Sequence, residues 1–513
     1  MSTSRYYKVA SSMLCAASIL LTHCTDRYHD SFINTPAESK PSCVRYVDIN
    51  SAAEEPDGLS WGTAFPSLQE GIDSASKAID DVEGSKDDQL LSCEVWVVSG
   101  EYPVLISGNE DTVLLAQKVE LFGGFNGSEE YRSERDWKKN ETILQGETTD
   151  GKVCHVVSFL PGEAADSAAF TRIDGFTITG GDASCEGEDG ERGGGMLVDE
   201  LAVIENCRFT GNNAWDGGGL FYKGERQIAL INSEFTGNEA AGRGGGIAFG
   251  GYGTLIVQGC FFIGNKATGD AGGLFFPGGR LVVQNSVFSD NISRDGRGGG
   301  LATLRETRCP MDHLIERSFF LRNRGNNGGG MYIGGCRLNL NNSIFYENQA
   351  DRGGGLEASK VRGRITNCVL SSNRAVLGGA ASFFYPEISY HVAIWNSIIW
   401  NNSTENGGTE IDNGSEGALL SLYYSVLKGG CFETLDGCGS LSADRVIDED
   451  PLFRGAEDGD FRLSPGSPCI DAAAGVFAPQ TDLDGKPRVD DPEHENTGLG
   501  PPWADIGAYE FVR

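Results

Sequence analysis

The chain has 513 residues, of which 72 are glycine, and 39% of its residues are hydrophobic. Its 73 acidic and 41 basic side chains give a formal net charge of −32. Such a surface repels phosphate backbones, so the charge excludes nucleic acid as a partner. The glycines follow no Gly-X-Y period, which excludes a collagen-like chain.

The N-terminal residues predict export. A basic start is followed by a mostly apolar stretch from Val9 to Leu21, as in a signal peptide. The segment that ends in Cys24 resembles the lipid-acceptor site of bacterial lipoproteins. We therefore expect a signal peptide at 1–23 and a tether at 24–44. The mature chain would be secreted, or held at the cell surface or outer membrane through a lipid on Cys24 alone.

Residues 45–165 are expected to form an N-terminal cap and the first coils. An amphipathic pattern predicts a helix from Pro66 to about Ala78, with proline in the first turn. Such a helix over the first coil would cover an open sheet edge. Short strands are predicted at Val95–Ser99, Val119–Phe125 and Thr142–Leu144.

One unit repeats eight times between Arg192 and Asn402. Each unit has a glycine run, an apolar residue and, further on, an aromatic or apolar residue three positions before an asparagine. Successive closing asparagines are 25 to 32 residues apart, a period that indicates stacked coils. Residues 166–412 therefore predict a parallel β-helix, an all-β fold. The closing asparagines are Asn212, Asn238, Asn265, Asn291, Asn323, Asn348, Asn373 and Asn402.

These asparagines are expected to form a structural ladder. An amide group can donate to one coil and accept from the next, so a buried row satisfies itself. A sugar-binding strip is the alternative interpretation of the same row. A second row of asparagines is interrupted at Gly259 and Arg317 and comprises Asn206, Asn232, Asn285, Asn342, Asn367 and Asn396.

The residue before each glycine run alternates in charge. Aspartate or asparagine stands between successive arginines of this column, at Asp216, Asp270 and Asn327. Opposite charges on neighbouring coils can pair, for about 0.2–1 kcal/mol each. The functional alternative is a glycan-binding strip for acidic polysaccharide, made by Arg192, Arg243, Arg297 and Arg352.

Fourteen cysteines suit an oxidising compartment. Cys431 and Cys438 lie close together in a glycine-rich loop and could form a disulfide. Three more fall in a column of small residues and are expected to be packed thiols, at Cys207, Cys260 and Cys368. The pairing of the others stays open, and they are Cys43, Cys93, Cys154, Cys185, Cys309, Cys336 and Cys469.

Residues 413–513 lose the period and predict a loop-rich C-terminal cap. Asp482 and Asp484 are weak candidates for a Ca²⁺ site, since clustered carboxylates suit hard cations. No EF-hand loop or zinc spacing supports a metal elsewhere, so we expect no cofactor.

Several motifs resemble known families. The glycine runs and the Phe-x-x-Asn units resemble the repeats of polymorphic outer-membrane proteins and related right-handed parallel β-helix proteins. The segments Ser464–Asp471 and Asp505–Glu510 resemble the C-terminal "choice-of-anchor Q" domain of secreted bacterial surface proteins. The resemblance spans about 45–511 and implies a right-handed solenoid at the cell surface.

Two classes of function remain. The first is a non-catalytic, adhesin-like or envelope protein, monomeric, that binds a polysaccharide or a cell-surface ligand. The alternative is a polysaccharide lyase or glycoside hydrolase that acts on acidic glycans, because right-handed β-helices also carry such enzymes. The Gly-His-Gly and Asn-Thr-Asp motifs of the hydrolases are missing from the sequence. We therefore expect no catalytic residues.

Overall fold

A computed structural model provides the fold. It divides the chain into two compact units. The N-terminal unit comprises the described residues of 25–256 with 265–267, and the C-terminal unit comprises those of 257–264 and 268–513. Nearly all regular structure in both is parallel β-strand, which confirms the predicted fold class. The described residues are 41–83, 92–160, 171–185, 190–304, 312–384, 390–405, 407–414, 419–429 and 442–513.

The N-terminal unit has three sheets, a helix at Leu68–Glu83 and 3-10 turns at Trp61–Thr63 and Arg132–Glu134. The first sheet contains Val44–Val47, Cys93–Val98, Gly100–Pro103, Val119–Phe125, Thr142–Gln145, Thr171–Asp174, Phe176–Thr179, Ala202–Glu205, Arg208–Thr210, Gln227–Ile231 and Glu234–Thr236. The second contains Val113–Leu114, Val157–Phe159, Met196–Val198, Leu220–Tyr222 and Ile247–Phe249. The third contains Asp182–Ala183, Asn213–Ala214, Glu239–Ala240 and Lys266–Ala267, and a hairpin joins Glu147–Thr148 to Gly151–Lys152.

The C-terminal unit repeats this plan. Its first sheet contains Phe261–Ile263, Arg280–Gln284, Val287–Ser289, Asp312–Glu316, Phe319–Leu321, Arg337–Asn341, Ile344–Tyr346, Arg362–Thr366, Val369–Ser371, His391–Trp395, Ile398–Trp400, Leu419–Leu427 and Ser442–Ile447. The second contains Leu274–Phe276, Leu301–Thr303, Met331–Gly334, Leu356–Ser359, Ala381–Phe384 and Ile411–Asn413. Shorter elements are Ile292–Ser293, Arg374–Ala375, Ser403–Thr404, the pair Phe453–Gly455 and Asp460–Leu463, and 3-10 turns at Ala456–Asp458 and Gly475–Phe477. The strand Thr254–Gln258 has residues in both units.

Matching residues of neighbouring coils lie over one another inside each unit. Four phenylalanine rings stack in the C-terminal unit with centroids 4.6 to 4.9 Å apart, from Phe262 to Phe345. Phe209 and Phe235 stack at 4.6 Å in the N-terminal unit. Continuous burial of such rows stabilises the stack by about 25 cal/mol for each Å² of apolar surface removed from water.

The second row of asparagines forms a sharp corner in the first sheet. Its six members have left-handed backbone angles, with φ from 44° to 52°. Asparagine tolerates this conformation better than most residues, which accounts for the row. The interruptions fit the same geometry, because Gly259 has a φ of 65° and Arg317 a φ of 49°.

The predicted helix is confirmed, although it begins at Leu68 and ends at Glu83. Its buried residues recur at helical spacing, at Leu68, Ile72, Ala75 and Ile79. The helix lies close to the first strand, since a Cβ at Gly71 would stand 2.4 Å from Val47 Cγ2.

Ion pairs hold a loop on the outer face of the first sheet in the N-terminal unit. Arg172 lies between Glu120 and Glu205, and its Nε is 3.1 Å from Glu120 Oε2. Arg132 pairs with Glu94, and Arg135 reaches Asp174 at 2.6 Å. Burial raises the pKa of the Glu94 and Glu205 carboxyls. These mutually paired charges fix the loop, because an unpaired buried charge would be costly.

The last segment of the chain packs along the side of the C-terminal unit. Its apolar residues, including Phe461, Ile470 and Ile506, form one core with outward residues of successive coils. The coil residues in this core are Val287, Phe319, Leu321, Ile344, Tyr346, Val369, Ile398 and Val426. The prediction of a loop-rich C-terminal cap at 413–513 did not include this lateral packing. The physical reason is that the outer face here is apolar and must be covered.

Two disulfides lie in the N-terminal unit, Cys43–Cys93 and Cys154–Cys185. The cysteines of the small-residue column are buried and form no disulfide, as expected of packed thiols. Burial raises the pKa of Cys207 and Cys368 to about 12, which keeps both thiols protonated. Among the described residues no helix has the length and apolar character needed to cross a bilayer.

Candidate ligand-binding surface

The glycine runs place the arginine column at the edge of the second sheet. Gly298 has a φ of 64°, and a Cβ there would lie 2.1 Å from the Leu301 carbonyl oxygen. The turn therefore requires glycine, and Arg297 stands immediately before it. The backbones of Arg297, Asn327 and Arg352 bridge one to the next in parallel. The predicted column is thus continuous on neighbouring coils of the C-terminal unit.

In the N-terminal unit the arginines contact their own chain. The Arg192 guanidinium lies over the Phe221 ring, 5.2 Å from its centroid. The Arg243 backbone N–H donates to Asp216 Oδ1 at 2.7 Å. Trp215, beside Asp216, has 56% of its side chain exposed.

In the C-terminal unit Arg297 is held from two sides. Its Nε donates to Asp270 Oδ1 at 3.1 Å, and its guanidinium lies 5.1 Å from the Tyr332 ring centroid. The ion pair and the ring fix the guanidinium in one orientation. This is the self-pairing that the alternation of charge predicted.

Arg352 has a different partner from the one that the alternation predicted. Its guanidinium donates to Asp412 Oδ2 at 3.2 Å, and it also lies over the Phe384 ring. Ser382 Oγ donates to the same Asp412 oxygen at 2.9 Å. Asn327, the expected partner, donates instead to Glu357 Oε2 at 2.7 Å.

Glu357 is the most perturbed acid of this surface. It is 4% exposed, and burial raises its pKa to about 7 although Asn327 and Arg352 stabilise the charged form. Because a pKa near 7 allows a carboxyl group to gain and lose a proton at neutral pH, Glu357 has the property of a general acid.

The second sheet brings Glu357 and Asp412 into one outward column. Glu357 is in register with Ser382, and Ser382 with Asp412, so the two acids are two coils apart. Their Cα atoms are therefore separated by roughly 10 Å, twice the strand spacing. Two carboxyl groups thus flank one serine on this face of the second sheet.

The closing asparagines form hydrogen-bonded ladders in each unit. In the N-terminal unit Asn212 donates to Asn238, and Asn238 to Asn265, both through Nδ2 at 3.1 Å. In the C-terminal unit Nδ2–Oδ1 distances of 2.9 to 3.0 Å link Asn291, Asn323, Asn348, Asn373 and Asn402. Asn402 then donates to Glu410, whose pKa burial raises to about 7. The ladder amides are engaged within the core, which favours a structural role over sugar binding.

The calcium candidates serve the fold of the last segment. Asp482 accepts backbone N–H groups from Lys486 at 2.8 Å and Glu510 at 3.0 Å. Asp484 pairs with Arg462 at 2.9 Å. These oxygens already accept hydrogen bonds and an ion pair from the chain, and the Ca²⁺ site stays a prediction.

Among the described residues, one cluster has side-chain atoms close enough together to hold a metal ion. It consists of Glu110, Cys154 and Cys185. The two cysteines form a disulfide, so they are not thiolate ligands. Cys24, Cys431 and Cys438 lie outside the described residues, and their predicted lipidation and disulfide stay predictions.

Sequence reasoning missed the acids of the second sheet and the two disulfides. Glu357, Asp412 and Glu410 belong to no repeated column, because outward positions vary from coil to coil. The sequence position of Glu357 and Asp412 could have revealed them. Each acid stands one residue after the apolar residue that begins its strand.

Comparisons with known proteins concern the fold. The family model of right-handed β-helix regions matches residues 165–313. A search of curated proteins found no match. Among solved structures, the pectate lyase Pel9A is similar at 13% identity and a TM-score of 0.43, with 92% of this chain and 98% of that chain covered. PfbA, a surface adhesin of Streptococcus pneumoniae, is similar at 11% identity and a TM-score of 0.31, with 78% and 91% covered. The stacked coils and the match over 165–313 agree on a right-handed parallel β-helix fold.

Proposed function

We propose that the protein is exported to the cell surface and binds a polysaccharide or another surface ligand without cleaving it. It acts as an adhesin-like or envelope component, either released or attached through a lipid on Cys24. The observation that carries this proposal is that the column arginines are engaged by their own chain. Arg297 has Asp270 and Tyr332, and Arg352 has Asp412 and Phe384. An arginine fixed in this way supplies a stationary charge rather than a proton-accepting base.

The experiment compares binding with cleavage on the same samples. The mature protein is incubated with a panel of acidic and neutral polysaccharides, and bound polymer, new reducing ends and new unsaturated ends are measured. We expect at least one polymer to bind with its chain length unchanged. New chain ends would contradict the proposal, and so would a panel in which nothing binds.

A polysaccharide hydrolase is the second candidate, and Glu357 favours it. A carboxyl group with a pKa of about 7, two coils from the carboxyl group of Asp412, supplies the two acids that such chemistry requires. Cleavage that disappears in Glu357→Gln and in Asp412→Asn, but persists in Glu410→Gln, would establish this alternative. Glu410 is a matched control because its pKa is also raised to about 7 by burial.

A further inference from the structure

We propose that the first sheet of the C-terminal unit carries a binding site for an acidic polysaccharide. We call it the basic–aromatic patch, and it consists of Arg337, Arg362, Arg364, Trp395, Tyr423 and Phe477. The inference rests on the proposed function, since it names the surface and the ligand class of the binding event. The patch lies apart from the arginine column of the second sheet.

Three exposed arginines crowd together on neighbouring strands. Arg337 and Arg362 face each other in register, so their Cα atoms are only ~4.8 Å apart. Arg364 points to the same face as Arg362, two residues further along the strand. Like charges directly opposite one another are destabilising in a sheet, and a bound anion would relieve this repulsion.

Two of these arginines have known neighbours. Arg337 reaches Asp312 at 3.8 Å, and both of these side chains are more than half exposed. Within the described part of the chain no carboxylate pairs with Arg364, whose guanidinium lies 5.6 Å from the Phe477 ring centroid. Three guanidinium groups thus lie close together on one face of a protein whose net charge is −32.

An aromatic stack continues the patch from Arg364. The Phe477 ring contacts Trp395 at a centroid distance of 4.2 Å, and Trp395 stacks on Tyr423 at the same distance. Phe477 remains 38% exposed, and Trp395 and Tyr423 are partly exposed. The C–H faces of a sugar ring can pack on such exposed rings while its acidic groups meet the guanidinium groups.

The backbone under the arginines is fixed. Gly363 separates Arg362 from Arg364 with a φ of 154°, and a Cβ there would lie 1.9 Å from the Leu338 carbonyl oxygen. The two strands therefore approach closely, and the spacing of the arginines cannot relax without breaking the sheet. The Cα atoms of the arginines are therefore in place before a ligand binds.

The test measures affinity for three polymers of equal length, namely alginate, neutral dextran and poly-glutamate. Three variants are compared with the original full chain. The patch variant carries Arg337→Ala, Arg362→Ala and Arg364→Ala. The control variant carries Arg294→Ala, Arg324→Ala and Arg374→Ala, which removes three exposed charges elsewhere in the same unit. The third variant is Phe477→Ala, and thermal unfolding verifies that all of them are folded.

We expect the patch variant to lose at least about tenfold in alginate affinity and the control variant less than about twofold, where tenfold corresponds to ~1.4 kcal/mol. Phe477→Ala should weaken alginate binding and leave poly-glutamate unaffected. Equal losses in both triple variants would overturn the patch while leaving the proposed function intact. Poly-glutamate bound as tightly as alginate would also overturn the patch, because the arginines would then attract any polyanion without recognising a sugar. If the original chain binds no polysaccharide at all, the proposed function and the patch fail together.

Discussion

The amide ladder can be tested by Asn323→Ala. Asn323 is fully buried, and its Oδ1 accepts the backbone N–H of Asn291 at 3.1 Å and Nδ2 of Asn291 at 2.9 Å. Its own Nδ2 donates to the Phe288 carbonyl oxygen at 2.8 Å and to Asn348 Oδ1 at 3.0 Å. Alanine removes all four bonds and leaves two donors of Asn291 without this acceptor.

The expected loss follows from the orphaned groups. Each of the two buried donors left without this acceptor costs ~1–3 kcal/mol, so the free energy of unfolding should fall by about 2–6 kcal/mol. Urea unfolding measures this change from the midpoint and the slope. Asn339→Ala is the matched control, because Asn339 is half-buried on the first sheet and its change should cost less than about 1 kcal/mol. A loss for Asn323→Ala no larger than the control's would refute the ladder as a stabilising element.

Three further changes test other parts of the structure. Arg172→Met should destabilise the protein by about 3–5 kcal/mol at pH 7, because it leaves two buried carboxylates without their cation. Urea unfolding measures this loss, and a loss below about 1 kcal/mol would contradict the paired network. Glu357 has a raised pKa in the folded state, so its contribution to stability is present at pH 4 and is lost as the pH rises to about 7. Glu357→Gln should therefore flatten this pH dependence, and thermal unfolding between pH 4 and pH 8 with an unchanged slope would disprove the assignment. Replacing Cys43 and Cys93 by alanine opens a loop of 50 residues and should cost about 4 kcal/mol, and an unaltered unfolding midpoint would argue against the bridge.

The inward columns were predictable from the sequence because their chemistry requires like residues. A phenylalanine stacks best on another phenylalanine, and an amide both donates to and accepts from another amide. Each coil therefore repeats the same side chain, and the period becomes visible in one sequence. The second asparagine row was visible too, although its cause, the left-handed corner, needed coordinates.

The outward features had no such requirement. Arg352 pairs with Asp412, which lies two coils beyond Glu357 on the second sheet. No repeated residue in the sequence marks the position of Asp412. Arg337 and Arg362 have the same 25-residue spacing as Asn348 and Asn373, but no repeated column of arginines marks the pair. The lateral packing of the last segment could not be foreseen either, because apolar outward residues such as Ile398 look like core residues in a sequence.

The central claim, that residues of consecutive coils stand in register, can be measured by cross-linking. Arg337→Cys with Arg362→Cys places two exposed thiols on facing positions, within the 4.4–6.8 Å Cα separation, roughly, that a disulfide spans. Arg337→Cys with Arg364→Cys is the diagonal control, at about 7–8 Å. Mild oxidation followed by mass spectrometry of peptides should show the bridge in the facing pair and little or none in the diagonal pair. A bridge that forms faster in the diagonal pair would contradict the register, and with it the columns and the patch built upon it.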